Sequence, residues 1–133
     1  MKVLGQKNIE ELLLKVLEDN TSKQLCSILI GKPIVYYFGE DFSEKFMKLR
    51  VEKDISLRSL RLTQENFDSQ KHKNYSWYNK EIKHIESNRF NQNIFLYDGK
   101  VLIFDMKNME CEYIDSEKEC WNYLGRFNNL WNS

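Results

Sequence analysis

Two short apolar runs separated by Asp-Gly constrain this chain more than any other feature. Residues 91–105 read N-Q-N-I-F-L-Y-D-G-K-V-L-I-F-D, so that the runs 94–97 and 101–104 flank Asp98-Gly99, a dipeptide suited to the positive φ angles of a type I′ turn. The pattern predicts a β-hairpin. Neither run alternates apolar with polar residues. Strands of that kind need both faces covered, which places the hairpin in a layered α/β domain rather than in a one-sided sheet. Beyond a polar bend and C-E-Y-I at 111–114, Asp115 or Ser116 is placed to cap a helix, and Glu119 completes a capping-box pattern with Ser116. Cys120, Leu124, Phe127 and Trp131 then recur at helical spacing with Tyr123 and Leu130 beside them, giving the last helix a broad aromatic face to lay on the sheet.

The rest of the chain supplies alternating elements. Residues 1–5 read as a short lead-in, and Asn8 stands as a helix cap with Glu11 three residues on. Ile9, Leu12, Leu13, Val16 and Leu17 follow the amphipathic template. A strand is predicted over 25–30, bounded by Gly31 and Pro33. Residues 34–38 fit a strand or an aromatic turn of helix. Helical spacing returns at Phe42, Phe46 and Leu49, with Asp41 or Ser43 as cap and basic residues in the last turn. A strand over 55–62, a polar exposed loop over 63–74, a short helix over 75–82 burying Trp77, Tyr78 and Ile82, and a brief strand over 83–86 precede an S-N-R-F-N-Q turn. The order α, β, α, β, loop, α, β, β, β, α predicts an α/β domain with a mixed sheet, because the hairpin is antiparallel.

Length and charge narrow the function classes. A chain of 133 residues reads as one domain with a core of its own. Twenty acidic residues balance twenty basic ones, so no global field draws the chain to nucleic acid or to an anionic membrane. Cys26, Cys111 and Cys120 lie far apart inside apolar runs, as buried reduced thiols do. With no apolar run near the ~20 residues of a membrane span and no leader pattern, a soluble, cytoplasmic protein is expected. His72 and His84 have no partner at ligand spacing, so neither a metal site nor a cofactor is expected. No nucleophile elbow, Walker loop or dinucleotide fingerprint occurs, and the five glycines are scattered as turn punctuation.

Five segments, in this order and spacing, resemble the C-terminal sensor domain of TrmB-like transcriptional regulators: residues 5–9; Arg50 and Lys53 ahead of Ile55-Ser56-Leu57-Arg58; Lys80-Glu81-Ile82; residues 94–103; and residues 117–131, closing on F-N-N-L-W. The resemblance covers nearly the whole chain. It implies a phospholipase-D-like α/β fold, a mixed sheet with a central antiparallel hairpin and helices packed on it. It also implies a homodimer or higher assembly and a small-molecule, sugar-like effector sensed on behalf of a winged-helix DNA-binding domain. No winged helix is recognisable in 1–133, so the chain is expected to be a single sensor domain that does not itself bind nucleic acid.

The same resemblance prompts a catalytic check. The phospholipase-D superfamily uses H-x-K-x-x-x-x-D, in which histidine is the nucleophile and lysine neutralises phosphate. Laid on Asp98, the pattern puts Asn93 at the lysine position and Asn91 at the histidine position. Asparagine forms no phosphohistidine-like intermediate and carries no charge, so the chain is expected not to be an enzyme. Arg58, Asn91, Asn93 and Asp98 become candidate ligand-binding residues. Tyr36, Tyr37 and Phe38, an aromatic cluster with no predicted buried face, become a candidate dimer interface, with the outer edge of the last helix as the alternative. Three functions stay open: a ligand-sensing regulatory module, an assembly domain without a small ligand, and a diverged phosphodiesterase.

Overall fold

The computed structural model describes residues 1–62, 78–86 and 90–133. The described strands are β1 (Lys2–Leu4), β2 (Gln24–Leu29), β3 (Ser56–Arg61), β4 (Lys80–His84), β5 (Asn93–Tyr97), β6 (Lys100–Asp105) and β7 (Glu110–Asp115). The described helices are α1 (Gln6–Glu18), α2 (Glu40–Glu52) and α3 (Glu117–Trp131), with a 3₁₀ turn over Ile34–Phe38. One mixed sheet runs β1-β7-β6-β5-β2-β3-β4. Its β2, β3 and β4 are parallel neighbours, and the other pairings are antiparallel.

The hairpin forms as its sequence requires. Asp98 (φ 46) and Gly99 (φ 75) both turn through the left-handed region and join β5 to β6 in a register that pairs Tyr97 with Lys100. Every residue of β5 is buried, because it sits mid-sheet with helices on both sides. Odd-numbered residues of β2 and β5 (Leu25, Leu29, Phe95, Tyr97) join the core beneath α1 and α2, while even-numbered ones (Cys26, Ile28, Ile94, Leu96) join Cys120, Phe127 and Trp131 of α3. The result is a three-layer α/β/α sandwich. Phe127 is fully buried and stacks on Trp131 at 5.5 Å, so its truncation to alanine removes about 3–5 kcal/mol of packing. The three cysteines are free and buried.

Two polar pairings run through this core. Ser27 and Ser59, opposite each other on β2 and β3, share a 2.7 Å hydrogen bond. Arg50, 1% exposed, donates to the Ile55 carbonyl at 2.8 Å and the Tyr78 carbonyl at 2.7 Å, so it pins the end of α2 to the chain entering β4. Burial lowers the Arg50 pKa to about 10, which leaves the guanidinium charged at neutral pH.

Several local expectations are corrected. Residues 2–4 are no lead-in but an edge strand on β7, three residues that only tertiary pairing reveals. Asn8 is not the cap of α1. Gly5, at φ 88, turns out of β1 and its carbonyl accepts the Ile9 amide, so the helix starts at Gln6 and Asn8 donates to the Leu4 carbonyl instead. Gly39, at φ 93, starts α2 in the same way, and neither Asp41 nor Ser43 is its cap. Ser116 does cap α3, accepting the Glu119 amide at 3.2 Å, while its own amide donates to the Gly99 carbonyl. The helix expected over 75–82 is replaced from Lys80 by β4, which pairs in parallel with β3. Tyr78 is half exposed rather than buried. Of the strand expected over 83–86, only 83–84 are strand, as the end of β4. The loop expected over 63–74, Trp77, and the turn residues 87–89 lie outside the described residues.

Candidate functional site

The sheet has two working ends. At one end β2 and β6 finish while β5 and β7 begin, and there an open cavity of about 630 Å³ is lined by Asn91, Gln92 and Asn93, by Tyr37 of the 3₁₀ turn, and by Asp105 and Lys107 after β6. The carboxyl end of β2, flanked by parallel β3 on one side and antiparallel β5 on the other, is the kind of discontinuity at which α/β sheets bind ligands.

Asn93 is the distinctive group in this cavity. It opens β5, is 7% exposed, and its Oδ1 accepts the Ile30 amide at 2.9 Å. Because the backbone amide can only donate, the oxygen must face Ile30, which fixes the orientation of the side-chain amide. Nδ2 then has two N–H donors and no protein acceptor among the described residues. At an open cavity a ligand oxygen that takes over such a donor from solvent gains about 0.5–1.5 kcal/mol. Three charged groups of the cavity are already engaged: Asp105 accepts from Asn108 at 2.8 Å and 3.2 Å, which lowers its pKa, and Lys2 pairs with Glu110 at 3.6 Å.

The four candidate ligand residues do not form one site. Asn91 and Asn93 share the cavity just described, but β5 carries the chain across the sheet between Asn93 and Asp98. Asp98 therefore lies at the opposite end, with Arg58, lining a groove of about 370 Å³ beside α3. Asp98 serves as a clamp. Its Oδ2 accepts the Thr21 amide at 2.6 Å and the Thr21 hydroxyl at 3.2 Å, and Oδ1 accepts the Ser22 amide at 3.2 Å. Partial burial pushes its pKa up, but the hydrogen bonds from Ser22 and Thr21 outweigh that and hold it below the ordinary carboxylate value. The N-x-N-x-x-x-x-D pattern is thus pulled apart by the strand that contains it.

The aromatic cluster is also divided. Phe38 is 7% exposed, and Tyr36 is partly buried against the core beneath α1 and α2. Tyr37 remains half exposed, with Lys32 Nζ 4.3 Å from its ring centroid, and it borders the Asn93 cavity. Sequence patterning missed this placement because a 3₁₀ turn has neither the helical nor the strand period. On α3, Trp121 is 77% exposed on the outer face.

The fold is a three-layer α/β domain with an open cavity at one end of its sheet. Along its whole length the chain is similar to a solved structure of TrmBL2, described as an archaeal chromatin protein that shows a novel mode of DNA binding. The TM-score is 0.72 at 15% identity, covering 100% of this chain and 49% of that one. At that identity the likeness shows the fold, and the chain spans about half the length of TrmBL2. No protein-family model matches the chain, and no curated protein matches it. Among the described residues no helix is long and apolar enough to cross a membrane.

Proposed function

We propose that this chain is a non-catalytic ligand-sensing module of the kind found in TrmB-like transcriptional regulators, with the Asn93 cavity as its effector site. The observation that carries the reading is the buried, oriented Asn93 amide whose Nδ2 lacks an acceptor beside about 630 Å³ of open space. An effector with hydroxyl or carbonyl oxygens satisfies it, and the amides of Asn91 and Gln92 offer further donors and acceptors, a lining that suits a sugar-like, neutral polyhydroxyl molecule. The likeness to TrmBL2 supports a regulatory role, and DNA contact is assigned to a separate domain or partner rather than to this chain. The phospholipase-D-like description of the sheet belongs to the same proposal, as does the absence of catalysis: asparagine at 91 and 93 supplies neither a nucleophile nor a phosphate-neutralising cation.

The test is a thermal-shift screen of mono- and disaccharides against the native chain and Asn93→Asp, which keeps an acceptor for Ile30 and loses both donors. A ligand at a hundred times its Kd raises stability by about 2.7 kcal/mol. A sugar that raises the melting temperature of the native chain and not of the variant supports the reading; equal shifts in both overturn the site.

A second reading, an assembly domain, draws on Trp121. A tryptophan left 77% exposed on the outside of α3 is a contact anchor in search of a partner. Homodimerisation through that face is compatible with the effector site at the far strand ends, and its mass in solution tests it.

A further inference from the structure

The second groove, at the opposite end of the sheet from the Asn93 cavity, carries its own ligand chemistry. Arg58 stands where two adjoining clefts meet, one of about 370 Å³ between β2, the hairpin and α3, the other of about 420 Å³ over the starts of β2, β3 and β4. Gln24 and Arg58 line both.

Arg58 differs from Arg50 of α2 and from Arg61, its neighbour on β3. Arg50 is bound by backbone carbonyls, and Arg61 is buried with its Nε on the Ser59 hydroxyl at 3.3 Å. Arg58 makes a single, weak hydrogen bond, from Nη2 to the Cys26 thiol at 3.5 Å, and has no carboxylate within ion-pair distance among the described residues. Its guanidinium lies over Phe127 (5.1 Å) and Trp131 (5.5 Å), whose rings are stacked 13° from parallel. An aromatic shelf under a guanidinium holds the plane still and dehydrates one face, leaving the N–H fork for an oxyanion.

Two acids share these clefts. Asp98 is turned away, both oxygens taken by Thr21 and Ser22. Glu81, the cross-strand neighbour of Arg58 on β4, is exposed and stops short of an ion pair with it. Gln24, Ser56, Asn79 and Asn128 add neutral polar groups to the walls, and Lys80 also lines the cleft over the strand starts.

We propose that the Arg58 groove is a second binding site, independent of the Asn93 cavity, that receives the carboxylate or phosphate group of a small anionic molecule. Arg58 provides the bidentate fork, Phe127 and Trp131 hold it, and Glu81 opposes the ligand and sets a ceiling on affinity.

The experiment follows the Arg58 Nε–H and Trp131 indole N–H resonances while inorganic phosphate, and separately acetate, is added at ionic strength held constant with chloride. Saturating shifts of both signals are expected with at least one probe, and the stronger probe tells phosphate from carboxylate. In Arg58→Gln, followed through Trp131, affinity should fall about tenfold or more, and Arg58→Lys should keep only part of it because a point charge lacks the fork. Glu81→Gln, a surface change that leaves the shelf intact, should tighten binding severalfold by removing a like charge. Linear shifts with both anions, or shifts that Arg58→Gln and Glu81→Gln leave unchanged, mean a general salt effect and overturn the site.

Discussion

Replacing Asp98 separates a structural clamp from a ligand-binding carboxylate. Three hydrogen bonds converge on it from Thr21 and Ser22, and at a partly exposed site each contributes about 0.5–1 kcal/mol, for a total of roughly 1.5–3 kcal/mol. Asparagine keeps one oxygen and tolerates φ 46, so Asp98→Asn should lose about 1–2 kcal/mol. Alanine loses every bond and adds about 1 kcal/mol for the left-handed backbone, giving a total of roughly 2.5–4 kcal/mol. At about 3–4 °C per kcal/mol for a chain of this size, Asp98→Ala should melt about 10 °C below the native chain. The pH dependence has a definite sign. Because the folded pKa of Asp98 lies below its unfolded value, its contribution is fully present above the unfolded carboxyl pKa, near 4, and is lost as pH falls through the folded pKa. Urea unfolding of the native chain and Asp98→Asn at pH 7 and then in steps toward pH 2 should show the gap closing. An Asp98→Ala variant that melts within about 2 °C of native, or a gap that widens in acid, would refute the clamp.

Arg50→Met replaces a buried, carbonyl-bound guanidinium and leaves the Ile55 and Tyr78 carbonyls without their donor, so it should cost about 3 kcal/mol or more in urea unfolding; a neutral result would mean the carbonyls find other donors. The purified chain should turn over no generic phosphodiester, and turnover abolished by Asn91→Ala would restore the diverged-enzyme reading. Light scattering at tens of micromolar should give a dimer mass that Trp121→Asp reduces to a monomer; a native monomer removes the assembly proposal, and a dimer indifferent to the substitution moves it off α3.

How much was legible in the sequence followed the range of each signal. Asp98-Gly99 and the two unbroken apolar runs specify a turn and two covered strands by local chemistry alone, and the Ser116 cap and the 120/127/131 face of α3 are local too. The edge strand at Lys2–Leu4 and the strand at Lys80–His84 were not legible. Three residues carry no period, and K-E-I-K-H is a charged edge strand specified by pairing with β3 rather than by its own composition. Asn91, Asn93 and Asp98 stood out by motif spacing, but spacing along a strand is distance: the residues between Asn93 and Asp98 cross the sheet and put them at opposite ends. Arg58 emerged from the resemblance and Phe127 and Trp131 from helical spacing, but the stacking of the one on the others, about seventy positions apart, had no sequence signal.

The most direct test of the effector-site account is the side-chain amide resonance of Asn93 in a ¹⁵N-labelled sample titrated with any sugar that stabilises the protein. The Asn93 Nδ2 protons and the Ile30 backbone amide should shift together and saturate with the same Kd as the thermal effect, while Arg58 Nε–H stays still. Saturable stabilisation with the Asn93 amide unmoved would contradict the account and place the effector elsewhere.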